Sequence, residues 1–89
     1  MTMYQKGQLT LADMKTGQIG TVVGVLGGHG LVGRLDALGI RPGRRVTKLS
    51  STLFRGPVIL RVNNTQVAVG FGMARKIIIE ADRYLPRAS

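Results

Sequence analysis

The 89-residue sequence contains no cysteine, one histidine and only four acidic residues. Without cysteine there is no disulfide framework and no thiolate for metal binding or nucleophilic attack. The carboxylates are scattered along the chain, which gives too few convergent ligands for an ordinary metal site and no carboxylate pair for acid–base catalysis. The hydroxyls of residues 50–52 have no obvious general base. We therefore expect a non-enzyme with no catalytic residue, metal or cofactor.

Long apolar segments are also missing. No apolar run approaches the roughly 18 residues that a membrane-spanning helix needs. The first ten residues, MTMYQKGQLT, lack the charged-then-apolar layout of a signal peptide. These observations predict one small cytoplasmic domain.

Positive charge is abundant by contrast. Thirteen lysines and arginines against four acids give a formal net charge of +9. Nucleic acid, an anionic membrane face and an acidic protein surface all suit such a chain, and plain solubility is the remaining alternative.

Hydrophobic patterning predicts a small, partly open β-barrel of about five strands. Between the third and fourth predicted strands the Asn63-Asn64 pair marks a hairpin turn, because asparagine tolerates a positive φ. Short helical turns are predicted near 10–15, where Thr10 caps the turn, and near 72–75. The predicted strands are 18–26, 44–50, 58–62, 65–71 and 76–81.

One longer helix is predicted at 31–38. Its apolar stripe is Leu31, Leu35 and Leu38, of which we assign Leu35 and Leu38 to the core. Gly39 then takes the C′ position, and Ile40 falls where a Schellman motif places its apolar residue. The helix cannot continue through the turn at Pro42 and Gly43.

The segment Gly28 to Gly33 matches the dinucleotide-binding pattern G-x-G-x-x-G. The match is unconvincing, because the predicted helix is too short for a crossover and no acid stands about 20 residues further on. We expect these glycines to serve the strand-to-helix turn, with Gly33 allowing close packing and His29 exposed to solvent.

Two kinds of binding surface remain open from composition alone. A basic barrel surface suits single-stranded nucleic acid, although exposed aromatic residues for base stacking are few. Apolar side chains at outward or loop positions suit a protein interface instead. The basic residues are Arg34, Arg41, Arg44, Arg45, Lys48, Arg55 and Arg61, and the apolar ones are Leu53, Phe54, Ile59, Phe71 and Ile78.

The helix and the turn after it follow the pattern Leu31-x-x-x-Leu35-x-x-Leu38-Gly39-Ile40-x-Pro42-Gly43-x-x-Val46. This pattern resembles the FeoA family, the ferrous iron transport protein A domain. The resemblance extends upstream through Leu11, Met14, Gly17 and Gly20 and downstream through Gly56-Pro57-Val58, Ala74, Ile77 and Ile79. It departs at Val69-Gly70-Phe71-Gly72, where many members carry a leucine–arginine pair.

The resemblance implies a mainly β, SH3-like barrel domain over 9–81, between a flexible N-terminal tail at 1–8 and a C-terminal tail at 82–89. It also implies an accessory protein of bacterial ferrous iron uptake that docks on the cytoplasmic face of the FeoB GTPase permease without inserting into the membrane. Recruitment to the inner membrane face and weak self-association stay open. The candidate partner-binding residues are Arg34, Arg41, Arg44, Arg45, Arg55 and Phe71.

Overall fold

The computed structural model describes residues 7–51 and 56–82, which form one curved antiparallel sheet with short helices. The strands within these ranges follow one another in the sheet as β1-β6-β2-β3-β4-β5. A 3₁₀ turn, Leu11–Asp13, follows the first strand. The strands are β1 (Gln8–Thr10), β2 (Ile19–Val25), β3 (Arg45–Ser51), β4 (Val58–Val62), β5 (Thr65–Val69) and β6 (Ile77–Ala81), and the helices are α1 (His29–Ala37) and α2 (Phe71–Ala74).

The predicted mainly β architecture is confirmed, with six strands in the described ranges instead of about five. The additional strand is β1, which pairs with β6 at the edge of the sheet, with Gln8 opposite Glu80. We had placed Gln8 in the N-terminal tail. The contact extends to Gly7, whose carbonyl accepts a hydrogen bond of 2.7 Å from the Ala81 N–H. The sheet curls without closing, since β1 and β5 form its two edges.

The core lies on the concave face of the sheet. In β4 the alternation places Val58, Leu60 and Val62 inside, as predicted. In β6, Ile77 and Ile79 are fully buried, again as predicted. Alternating β-branched and leucine side chains therefore supply the inner surface of the sheet.

The turn between β4 and β5 confirms the asparagine prediction. Asn63 and Asn64 both have positive φ, 54° and 66°, as a two-residue hairpin turn requires. Val62 and Thr65 stand opposite each other on either side of the turn.

Strand β2 pairs closely with β6 at one glycine and contains one bulge. A Cβ at Gly20 would collide with the Ile79 side chain and approach the Glu80 carbonyl oxygen to 2.9 Å. The pairing register with β6 shifts between Val22 and Gly24. The extra residue moves Gly24 to the outer face, so Gly20 and Gly24 lie on opposite faces although they are four residues apart.

The segment after β1 begins as predicted with a threonine cap. The Asp13 N–H donates to the Thr10 hydroxyl oxygen over 3.3 Å. Leu11 and Met14 then enter the core, at 0% and 3% exposure. This buried pair attaches the N-terminal segment to the sheet.

Candidate partner-binding surface

Helix α1 occupies the connection between β2 and β3, and its C-terminal end is tightly fixed. Leu35 is its only fully buried residue. Gly39 adopts φ +88°, its N–H donates to the Asp36 carbonyl, and the Ile40 N–H donates to the Leu35 carbonyl, both over 2.9 Å. These two bonds form the predicted Schellman motif, and Ile40 is buried beside Leu35.

The turn that follows ties the end of α1 to β2. The Arg44 N–H donates to the Arg41 carbonyl over 3.0 Å, which closes a turn with Pro42 and Gly43 in its centre. Gly43 has φ +95°, a conformation that favours glycine. Its N–H donates to the Val22 carbonyl over 2.8 Å. The predicted turn is confirmed, and it fixes the distance between α1 and the sheet.

The other end of α1 contains the glycine-rich pattern. Gly28 is the N-cap and has no side chain to accept a hydrogen bond from the first turn. The strands on either side of the helix are antiparallel, so α1 is not the crossover helix of a dinucleotide-binding unit. His29 is exposed, as expected. The expectation for Gly33 is wrong, since a Cβ there would have no neighbour within 4 Å.

Leu38 was assigned to the core together with Leu35, and this is also wrong. Its side chain is 38% exposed, and Leu31 is only half-buried. Within α1 only Leu35 enters the core fully. Leu31 packs against the core in part, and Leu38, at the C-terminal cap of the helix, stays open to solvent. Arg34 precedes Leu38 by one helical turn and lies on the same side of the helix. An exposed cation and an exposed apolar side chain are therefore neighbours.

The structure divides the predicted arginines among different surroundings. Arg41 forms an ion pair with Asp36 over 3.1 Å, and Arg44 donates to the Asn63 side chain over 3.0 Å. Arg34 lies on α1, and Arg41 and Arg44 lie in the turn after it. We call Arg34, Leu38, Arg41 and Arg44 the α1 surface.

Arg45 does not belong to the α1 surface. It begins β3 on the outer face of the sheet and forms an ion pair with Asp82 over 2.6 Å. The hydrogen bonds and the charge of Asp82 raise the pKa of the Arg45 guanidinium, which remains fully charged. Arg55 lies outside the described residues.

Phe71 is also separate from the α1 surface. It begins α2, it is half-buried, and the Arg75 guanidinium carbon lies 6.0 Å from the centre of its ring. The departure at residues 69–72 overlaps α2, which packs near the 3₁₀ turn. Ile59 and Ile78 point outward but are half-buried, and Leu53 and Phe54 lie outside the described residues.

Lys48 is the residue that sequence reasoning placed on the wrong side of the sheet. It was grouped with the surface cations, but it is 3% exposed. Its ammonium donates to the carbonyls of Ala12 and Met14, over 3.2 and 2.5 Å. Burial lowers its pKa, and the nearby Asp13 carboxylate opposes that effect. Lys48 thus holds the N-terminal segment against the inner face of the sheet.

The register of β3 was the signal for this position. Val46 faces inward, so the residue two positions later faces inward as well. Lys48 indeed stands opposite the buried Leu60. The prediction that Lys48 is exposed followed from its charge and ignored the alternation of side chains along β3.

No helix within 7–51 and 56–82 is long and apolar enough to cross a membrane. In the same ranges, no three histidine, aspartate or glutamate side chains are grouped so that they could hold a metal ion.

The sequence matches the family model of the FeoA domain over residues 9–81. The chain belongs to the FeoA family. The pattern around α1 thus identifies the family correctly, and both the Schellman motif and the turn fixed to β2 fall within the matched FeoA domain.

Relatives with known names agree with this assignment. A putative Fe(2+) transport protein A from Methanocaldococcus jannaschii is 32% identical over 74 residues, which cover 83% of this chain and 88% of that protein. A crystal structure of the iron uptake regulatory protein FeoA has 32% identity and a TM-score of 0.78, and the alignment covers 84% of this chain and 97% of that one.

The SH3-like character of the fold has its own parallel. The zinc complex of FeoA from Stenotrophomonas maltophilia, described as an SH3 domain protein, has a TM-score of 0.71 at 21% identity. The alignment covers 84% of this FeoA-family chain and 96% of that one. At this identity the similarity establishes the SH3-like fold alone.

Proposed function

We propose that this chain is a non-catalytic accessory protein of ferrous iron uptake that docks through the α1 surface on the cytoplasmic side of a FeoB-type GTPase permease. Membership of the FeoA family carries the proposal, and the names of the 32%-identical relatives support the link to iron transport. The chain acts by binding: it binds one conformational state of the permease more tightly than the other and so shifts the equilibrium between them.

The α1 surface supports this role by combining charge with an apolar contact. Arg34 and Leu38 are exposed neighbours on a helix whose C-terminal end is fixed to the sheet. Arginine next to an apolar group is typical of protein interfaces. An acidic patch on the permease would attract Arg34, while burial of Leu38 would prolong the complex.

The nucleic-acid alternative loses support in the structure. Lys48 is buried and fastens the N-terminal segment, while Arg41 and Arg45 are already paired with carboxylates. A continuous basic groove therefore does not follow from the seven cations that the sequence grouped together.

The test is the binding kinetics of the cytoplasmic domain of the permease to immobilised protein. Arg34→Glu should lower the association rate roughly tenfold at low salt, because a charge at the rim of an interface mainly steers encounter. Leu38→Ser should instead raise the dissociation rate. Lys15→Glu, in an exposed turn near the start of β2, makes the same charge change as Arg34→Glu and serves as the control.

Equal effects of Arg34→Glu and Lys15→Glu would show that net charge alone matters and would remove the α1 surface from the proposal. Absence of permease binding, together with tight and steeply salt-dependent binding of random oligonucleotides, would replace the proposal by the nucleic-acid alternative.

A further inference from the structure

A second surface lies on the outer face of β2, away from the α1 surface. Five large apolar residues are exposed in the described ranges, and three of them follow this strand to its end: Ile19, Val23 and Leu26, at 39%, 38% and 61%. β2 is paired on both sides, by β6 and by β3, so its backbone needs no further partner. What remains open is an apolar face in the middle of the sheet.

The neighbouring strand β6 adds an ordered row of charges. Ile77 and Ile79 are buried, so Ile78 and Glu80 point to the outer face, and Lys76 is the exposed turn residue directly before β6. The pairing places Ile78 opposite Gly24 and Glu80 opposite Thr21. The Leu26 N–H donates to the Lys76 carbonyl over 2.7 Å, which places Lys76 beside the most exposed leucine. From the residue before β6 into the strand, the row therefore consists of a cation, an apolar residue and an anion at every second position.

Lys76 and Glu80 are each two residues from Ile78, so a two-fold axis at Ile78 exchanges their positions. Turning it by 180° about an axis that crosses β6 at Ile78 brings Lys76 to the position of Glu80. Two copies of the face can thus meet with opposite charges in contact at both ends, which is the self-complementarity of an isologous interface. Neither charge has an ion-pair partner within residues 7–51 and 56–82.

Gly24 makes room for the contact at the centre. A Cβ at this position would have no neighbour within 4 Å, so the surface beside Ile78 is open. This space allows the isoleucines of two copies to lie side by side between the sheets. The bulge at Val23 is what places the glycine on the outer face next to Ile78.

We propose that the outer face of β2 and β6 binds a second copy of this chain, with Ile78 at the two-fold axis and Lys76 of each copy facing Glu80 of the other. The distribution of charge over the chain favours this face as the site of contact. Two copies with a net charge of +9 repel each other, yet Glu80 and Asp82, two of the four acids in the chain, lie at one end of this face. Arg45 is neutralised there by Asp82. The face is locally balanced, and the inference does not depend on the permease.

Charge reversal with sedimentation velocity tests the proposal. The unmodified chain should show a concentration-dependent monomer–dimer equilibrium. Lys76→Glu alone and Glu80→Lys alone should each raise the dimer dissociation constant roughly tenfold or more, because two attractions become two repulsions. The double variant Lys76→Glu with Glu80→Lys should restore the dimer, since the partners have merely exchanged places.

The matched control is Arg61→Glu. Arg61 is exposed on β4 and its reversal changes the net charge by the same amount as Lys76→Glu, but it should leave the dimer in place. A chain that stays monomeric at every concentration overturns the proposal, and so does a double variant that fails to regain the dimer. A monomer whose Val23 and Ile78 amide resonances shift when the cytoplasmic domain of the permease is added would assign the face to that protein and would also overturn it.

Discussion

The two ends of α1 are attached to the sheet in contrasting ways. At the C-terminal end, Leu35 and Ile40 are buried, and backbone bonds from Gly39 and Ile40 close the helix. At the N-terminal end, Gly28 provides no side-chain cap and the first turn contains no acidic residue. A Cβ at Gly33 would face open space.

The contacts that hold α1 in place are therefore different from the residues that favour its helical conformation. The helix is fixed at its C-terminal end by buried side chains and backbone bonds. Its N-terminal part contacts the core through the half-buried Leu31 and contains glycines, which lower its intrinsic helix propensity. The α1 surface lies at the fixed end. A binding surface is most selective where its backbone is held by the core, which fits the placement of Arg34 and Leu38.

The largest effect is expected from removing the buried contact. Leu35→Ala should lower the free energy of unfolding by about 2–5 kcal/mol, through lost burial and the cavity left behind. Urea denaturation measures the change. Val32→Ala is the control on the same helix, where the side chain is already 41% exposed and the expected loss is under about 1 kcal/mol. Equal losses in the two variants would contradict the position of α1 on the sheet.

A smaller effect is expected at the cap. Gly39→Ala should lower the free energy of unfolding by about 1–2 kcal/mol, because alanine is strained at φ +88°. Space is not the obstacle, since the added Cβ would lie 3.4 Å from a Val62 methyl carbon, an ordinary contact. Gly39→Asn, which tolerates this conformation better, should lose less in the same thermal or urea denaturation. An asparagine variant as unstable as the alanine variant would argue against the cap conformation.

Much of this architecture was predictable because the relevant signals are local. The strands β2 to β6, the asparagine hairpin and the Schellman motif each depend on a pattern within about ten residues. The family pattern around Gly39 added the SH3-like fold. The same locality explains the α1 surface in part, since Arg34 was identified correctly as exposed.

The errors arose where a distant contact decides. Three residues are too few for β1 to show a period, and only its pairing with β6 makes it a strand. Lys48 is buried because its ammonium meets two carbonyls more than thirty residues away in the sequence. Gly24 lies on the outer face of the sheet because of a bulge that the residue types of β2 do not predict. The surface formed by Lys76, Ile78 and Glu80 was equally unpredictable, because only the pairing register places Ile78 beside Gly24.

The smallest effect has the opposite sign and tests the part of α1 that precedes its fixed C-terminal end. Gly33→Ala should raise the free energy of unfolding by about 0.5–1 kcal/mol, because glycine in the middle of a helix is unfavourable relative to alanine. The new methyl group meets nothing within 4 Å, so no strain offsets the gain.

Gly20→Ala is the contrasting control for this substitution, since its Cβ would collide with the Ile79 side chain and the sheet should lose stability. Hydrogen exchange of the α1 amides provides the second readout. In the Gly33→Ala variant, slower exchange confined to the first two turns would show that the N-terminal end alone was limiting. Unchanged melting and unchanged exchange would mean that this end is already as firmly held as the capped end, and the contrast between the two ends would fail.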